Sequence, residues 1–93
     1  METPILKNIP VTDLKPAAYN PRKKLKPGDK EYEKIKNASK EFGFADPLVV
    51  NSDMTIIGGH QRLNVAMDLG YTEVPCAVVD IDKTREKALN IAL

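Results

Sequence analysis

The sequence is poor in the residues that close disulfides or bind zinc. Cys76 is the only cysteine and His60 the only histidine among 93 residues. A lone cysteine cannot form an internal disulfide, which agrees with a reducing compartment. One histidine without a cysteine cluster excludes a classical zinc site. Because Cys76 lies in an apolar stretch, we expect an inert core thiol rather than a nucleophile.

Long apolar segments are also missing. The longest uninterrupted apolar run covers four residues, 76–79, whereas a membrane-spanning helix needs about 18. The first ten residues show no charged segment followed by an apolar one, and hence no secretory signal. We therefore expect a cytoplasmic protein that does not contact a membrane.

An excess of one charge is absent overall but present locally. The 14 basic and 13 acidic residues give a net charge of +1, which offers no global argument for a polyanionic partner. Residues 20–40, however, hold eight basic against three acidic residues, and residues 41–93 hold four against eight. This basic block favours either a solvated surface or contact with an anion such as DNA. Its first cations are Arg22, Lys23, Lys24 and Lys26.

The apolar pattern predicts one small α/β domain, a twisted mixed sheet of four or five short strands with about three helices in the order βαββαβα. Residues 7–14 are expected to form an edge strand, because Pro10 does not suit a central one. A proline-rich loop follows over residues 15–28. The next helix is predicted between an Asp29 cap and a Gly43 terminator, with an apolar stripe of Tyr32, Ile35, Ala38 and Phe42.

The second half of the sequence predicts a hairpin, a helix, a strand and a last helix. The hairpin strands are residues 48–50 and 55–57, and the helix is residues 60–69, ended by Gly70. The strand covers residues 71–80, and Asp82 caps the last helix. That helix ends on apolar residues without a polar cap, so we expect a longer natural protein.

The segment with the clearest chemistry joins the predicted hairpin to the helix after it. It contains Gly58, Gly59, His60, Gln61 and Arg62. A strand, a glycine turn and a helix start together aim backbone N–H groups and the positive end of a helix dipole at an anion. Arg62 adds a forked cationic donor, and His60 and Gln61 add further donors. The pattern indicates a phosphate site, although a glycine turn can also serve only as a connection.

Several motifs, in order, resemble the N-terminal domain of the ParB/sulfiredoxin superfamily, in the branch found in phage and plasmid proteins and often fused to DNA methyltransferases. The matching segments are residues 11–16, Asn20-Pro21-Arg22, residues 41–44, residues 46–50, Gly59-His60-Gln61-Arg62 in the family's Gly-x-x-Arg position, residues 69–71 and Val74-Pro75. The resemblance implies a nucleoside triphosphate, CTP or ATP, with Mg²⁺. Its phosphates would lie on residues 58–62, and Arg22 would approach from the other side, with Lys23 or Lys24 closing over them.

Two departures from the family limit the implied chemistry. Sulfiredoxins carry their catalytic cysteine where His60 stands, so we expect no sulfinic-acid reductase activity. Partition proteins carry a Glu-Asn pair in the helix after the last strand, and residues 88–93 lack the glutamate, which argues against metal-dependent CTP hydrolysis. His60 and Arg62 are the candidates for any catalytic role.

Three functions stay open at this point. The first is a nucleotide-binding module of a larger DNA-transaction protein. The second is a metal-dependent nuclease, or a phosphotransferase acting on a small molecule. Its metal ligands would be Asp46, Asp53, Asp80 and Asp82, although Asp80 and Asp82 also suit a turn carboxylate and a helix cap. The third is a non-catalytic docking module that contacts DNA or a protein through residues 22–40, with sequence-specific reading left to a domain beyond Leu93.

Overall fold

The computed structural model describes residues 4–17, 26–44 and 46–93. Its elements follow in order as β1 (Ile5–Pro10), a 3-10 turn (Val11–Asp13), α1 (Lys30–Phe42), β2 (Leu48–Asn51), β3 (Ile56–Gly58), α2 (His60–Asp68), β4 (Glu73–Val79) and α3 (Lys83–Ala92). The predicted order βαββαβα is confirmed, and the described strands form one four-stranded sheet.

The sheet is mixed, with strand order β1-β4-β2-β3. β4 runs antiparallel to β1 and parallel to β2, and β2 and β3 form the predicted antiparallel hairpin. β1 is an edge strand, as Pro10 indicated, but it ends at Pro10 rather than at residue 14. A 3-10 turn begins at Val11, whose N–H still donates to the Thr72 carbonyl at 3.0 Å in register with the β1–β4 pairing.

The core lies between the sheet and α2. Its buried members are Ile9, Leu48, Val50, Ile56, Leu63, Ala66, Val74 and Cys76. Cys76 has no exposed surface, and burial raises the pKa of its thiol. The predicted inert core cysteine is therefore confirmed, since the thiolate that attacks or binds metals is disfavoured.

Helix α1 begins and ends where the sequence predicted, but its apolar stripe does not lie in the core. Gly43 ends the helix with φ +71°, a conformation that favours glycine. Asp29 occupies the N-cap position, yet its carboxylate accepts a hydrogen bond from the Lys26 backbone N–H at 2.8 Å rather than from the helix. Of the predicted stripe only Tyr32 is buried, whereas Phe42 is 70% exposed. The other three residues of the stripe, Ile35, Ala38 and Phe42, border a cavity.

Helix α3 is held to the β2–β3 hairpin by polar contacts at both ends. Asp82 caps the helix as predicted, accepting from Arg85 N–H at 2.8 Å. Glu86 is fully buried and accepts hydrogen bonds from Asn51 Nδ2 at 2.9 Å and Lys83 Nζ at 3.0 Å. Near the other end Asn90 Nδ2 donates to the Ile57 carbonyl at 2.7 Å. These bonds fix the position of α3 across β3.

None of the helices within the described ranges is long and apolar enough to cross a membrane.

Candidate functional site

A cavity of about 820 Å³ opens between α1 and the turn that joins β3 to α2. Its volume falls in the range of ordinary small-molecule sites. The lining residues come from α1, from the segment after it, from the β3–α2 turn and from the chain end: Glu31, Lys34, Ile35, Ala38, Ser39, Phe42, Gly43, Phe44, Asp46, Pro47, Val49, Gly58, Gly59, His60, Gln61, Arg62 and Leu93. All five residues of the predicted phosphate turn therefore border one cavity.

The turn owes its shape to Gly59. This residue is the N-cap of α2 with φ +98°, in the left-handed region, which a side chain rarely tolerates. A Cβ at this position would lie 2.8 Å from Leu48 Cγ and 3.2 Å from Leu48 Cα. The backbone thus packs directly on β2, and α2 starts at the cavity wall with residues 60–62. The first amides of a helix have no intrahelical acceptor, so this end attracts anions.

Arg62 lies folded against the segment that precedes β2. Its Nη2 donates to the Pro47 carbonyl at 3.1 Å, and its Nη1 lies 3.7 Å from Asp46 Oδ2. Its Nε is buried and has no hydrogen-bond partner among the described residues. The side chain keeps 29% of its surface exposed. Arg62 therefore presents a partly shielded guanidinium to the cavity.

Helix α1 supplies the opposite wall. Ile35, Ala38 and Phe42 give it an apolar surface, and Lys34 adds a cation. Ser39 is buried and its hydroxyl donates to the Lys36 carbonyl at 2.8 Å. Lys34, one lysine of the basic block, thus borders the cavity.

A polar contact links α1 to the end of α2. Tyr32 is 3% exposed, and its hydroxyl donates to Asp68 Oδ2 at 2.7 Å. This hydrogen bond, aided by burial, raises the pKa of Tyr32 to about 12. Neither residue lines the cavity.

The end of α3 closes the cavity beside Gly58. A Cβ at Gly58 would lie 2.7 Å from Leu93 Cδ1, so the leucine side chain lies directly on the glycine. Leu93 remains 53% exposed.

Four of the predicted cations precede α1 in the sequence. Arg22, Lys23 and Lys24 lie outside the described residues. Lys26 is exposed and is not part of the cavity wall. The proposed approach of Arg22 to the phosphates therefore stays a prediction.

The acidic candidates are spread over different contacts. Asp80 accepts from the Ser52 hydroxyl at 3.0 Å, and Asp82 caps α3. Asp53 accepts from Lys83 Nζ at 2.6 Å, a bond that, with others from Thr55, lowers its pKa. Asp46 alone of the four borders the cavity. Across residues 4–17, 26–44 and 46–93, no three histidine, cysteine, aspartate or glutamate side chains group closely enough to hold a metal ion.

Sequence reasoning missed several cavity residues. Ala38 and Phe42 were predicted only as members of the apolar stripe of α1. Leu93 lies 31 residues from Arg62 in sequence, so nothing local connects the two. A periodic apolar stripe predicts that a helix face is covered but not whether a neighbour or a ligand covers it.

The sequence model of the family "ParB N-terminal domain" matches residues 1–93, which is the whole chain. A chromosome-partitioning protein of Vibrio cholerae described as probable ParB is 31% identical over 81 residues, covering 83% of this chain and 27% of that protein. An uncharacterized protein of Acidianus two-tailed virus, ORF326b, is 34% identical over 64 residues, covering 69% of this chain and 20% of that protein. The chain thus spans about a fifth to a quarter of these relatives.

A solved structure shows the same fold. It is the C-terminally truncated chromosome-partitioning protein ParB from Caulobacter crescentus, complexed with CTP-gamma-S. The TM-score is 0.76 at 22% identity, with 92% of this chain and 50% of that chain covered.

Proposed function

Since this chain belongs to the family of ParB N-terminal domains, we propose that it binds a nucleoside triphosphate, CTP before ATP, in the cavity between α1 and α2. In this proposal it is the nucleotide-binding module of a protein that acts in DNA partition or a related DNA transaction. The structural relative from Caulobacter crescentus, which was solved with CTP-gamma-S, supports this choice of nucleotide.

The observation that carries the proposal is the placement of residues 58–62 on the wall of an 820 Å³ cavity. Gly59 packs the turn against Leu48 and starts α2 at the cavity wall, so the N-terminal end of the helix is available to a phosphate. The dipole of α2 and the guanidinium of Arg62 both favour negative charge there. Phosphates would therefore lie on the β3–α2 turn.

The α1 wall suits the remaining parts of a nucleotide. Ile35, Ala38 and the exposed ring of Phe42 offer apolar surface for a ribose or a base. Lys34 lies on the same helix and would add to the attraction for phosphate. Arg22, with Lys23 or Lys24, would complete the phosphate contacts.

Mg²⁺ would enter with the triphosphate, whose oxygens it prefers as ligands. On the protein side, the carboxylates that border the cavity within the described ranges are Glu31 and Asp46. Bound Mg²⁺ would neutralise part of the phosphate charge. We propose no hydrolytic step.

Isothermal titration calorimetry of the chain with CTP, ATP and GTP, each with Mg²⁺, tests the proposal. We expect saturable heat with CTP and weaker heat with GTP and ATP. Equal binding of all three would remove the base preference but keep the phosphate site. Absence of heat with every nucleotide would contradict the proposed function.

The basic face of α1 favours a second candidate function, docking on DNA. Lys30 and Lys40 are exposed on this helix, and Lys26 precedes it. Contacts of this kind release counterions, so DNA affinity should fall steeply as salt concentration rises. Fluorescence anisotropy with a labelled duplex at increasing salt measures this, and affinity that is independent of salt would count against it.

A further inference from the structure

A carboxylate lies beside the guanidinium that the proposed phosphate site depends on. Asp46 and Arg62 both border the cavity, with 3.7 Å between Asp46 Oδ2 and Arg62 Nη1. The aspartate belongs to the segment before β2, and the arginine to the first turn of α2. The pair therefore connects the segment before β2 to the start of α2.

The contacts of Arg62 place Asp46 next to Nη1. Nη2 donates one hydrogen bond to the Pro47 carbonyl, and Nε is buried. Nη1 lies 3.7 Å from Asp46 Oδ2, so a phosphate that approaches Nη1 would meet the carboxylate there. Asp46 and the phosphate would then compete for the same positive charge.

We propose that Asp46 is an internal counterion that competes with the phosphates of the nucleotide for Arg62 and so sets the affinity of the site. The proposal rests on the proposed function, because it concerns the same cavity. In the absence of ligand the aspartate neutralises Arg62. When phosphate binds, the carboxylate either moves into solvent or remains as a like charge next to the phosphate.

The exposure of Asp46 limits the size of the effect. Its side chain keeps 81% of its surface, so water screens its charge and lets it move away. Exposed charge pairs contribute up to about 1 kcal/mol, which corresponds to about a fivefold change in affinity. Removing the charge should therefore tighten nucleotide binding about three- to fivefold. Because Mg²⁺ reduces the charge of the triphosphate, the gain should be larger in EDTA than with Mg²⁺.

The test compares Asp46→Asn with the unchanged chain by calorimetry. The probes are CTP and inorganic tripolyphosphate, each in EDTA and in Mg²⁺. Asp13→Asn is the matched control, because Asp13 is exposed, makes the same change in net charge and does not border the cavity. Thermal melting verifies that each variant is folded.

We expect Asp46→Asn to bind both probes about three- to fivefold more tightly in EDTA, and Asp13→Asn to match the unchanged chain. Unchanged binding in Asp46→Asn overturns the inference. Weaker binding that appears only with Mg²⁺ also overturns it and assigns Asp46 to the metal instead. A chain that binds tripolyphosphate but not CTP contradicts the proposed function, and the inference is then decided on tripolyphosphate alone. If neither probe binds to either protein, both proposals fail.

Discussion

Leu48 fills the space that a side chain at Gly59 would need, with its Cγ 2.8 Å from the position of a Cβ. The contact joins the first residue of β2 to the N-cap of α2. It packs the β3–α2 turn directly on β2. The shape of the proposed site and the stability of the domain are therefore linked at this residue.

Gly59→Ala should destabilise the domain by about 2 kcal/mol, because it adds a methyl group to a packed position and forces alanine to a positive φ. Urea denaturation measures the change in the free energy of unfolding. Gly58→Ala is the control, since a Cβ there meets only the flexible end of Leu93. A loss in Gly58→Ala as large as that in Gly59→Ala would show that the contact with Leu48 is not the cause.

Arg62→Ala should weaken CTP binding about tenfold or more, because a hydrogen bond to a charged group contributes about 1.5–3 kcal/mol. Arg85→Ala provides the comparison, since Arg85 is an exposed arginine on α3 that does not border the cavity. Calorimetry of both variants gives the two affinities. If Arg62→Ala and Arg85→Ala bind CTP with equal affinity, Arg62 does not contact the phosphates.

Glu86→Ala should lower the free energy of unfolding by about 3 kcal/mol. The substitution removes a buried carboxylate, and Asn51 Nδ2 loses the Glu86 oxygen to which it donates. Helix α3 would then loosen from the hairpin. Glu41→Ala, which changes an exposed glutamate on α1, should cost less than about 0.5 kcal/mol. Similar urea midpoints for the two variants would contradict the anchoring role of Glu86.

Tyr32→Phe should lower the melting temperature, because it removes the hydrogen bond to Asp68. The pKa of Tyr32 is raised in the folded state, from 10.0 to about 12, so folding favours the protonated hydroxyl. The hydrogen bond from Tyr32 stabilises the fold fully below pH 10, and this stabilisation is lost as the pH rises through 12. The difference in melting temperature between the original chain and Tyr32→Phe should therefore shrink over that interval. A difference that is constant from pH 8 to pH 12 would contradict the hydrogen bond.

Local signals in the sequence predicted most elements of the fold. Gly43 ends α1 and Asp82 caps α3, because such residues determine helix ends through their own backbone or side chain. The β3–α2 turn was also predictable, since its two glycines and Arg62 lie within five consecutive residues. These features depend on neighbours in sequence.

Features that depend on distant contacts were not predictable. Nothing around Glu86 indicates that Asn51, from β2, would bury and bond it. The apolar periodicity of α1 did not reveal that Phe42 faces a cavity. The pairing of Asp46 with Arg62 likewise requires β2 and α2 to meet. Each of these contacts exists only once the sheet has assembled.

The most direct test of the central claim is a ¹⁵N–¹H NMR titration of the chain with CTP and Mg²⁺. The account predicts saturable shift changes at the amides of residues 58–62 and along the α1 wall at Lys34 and Ser39, with residues 82–86 at the far end of α3 unchanged. Shifts that leave residues 58–62 unchanged while CTP is bound, or the absence of any shift at saturating CTP, would contradict a nucleotide site on the β3–α2 turn.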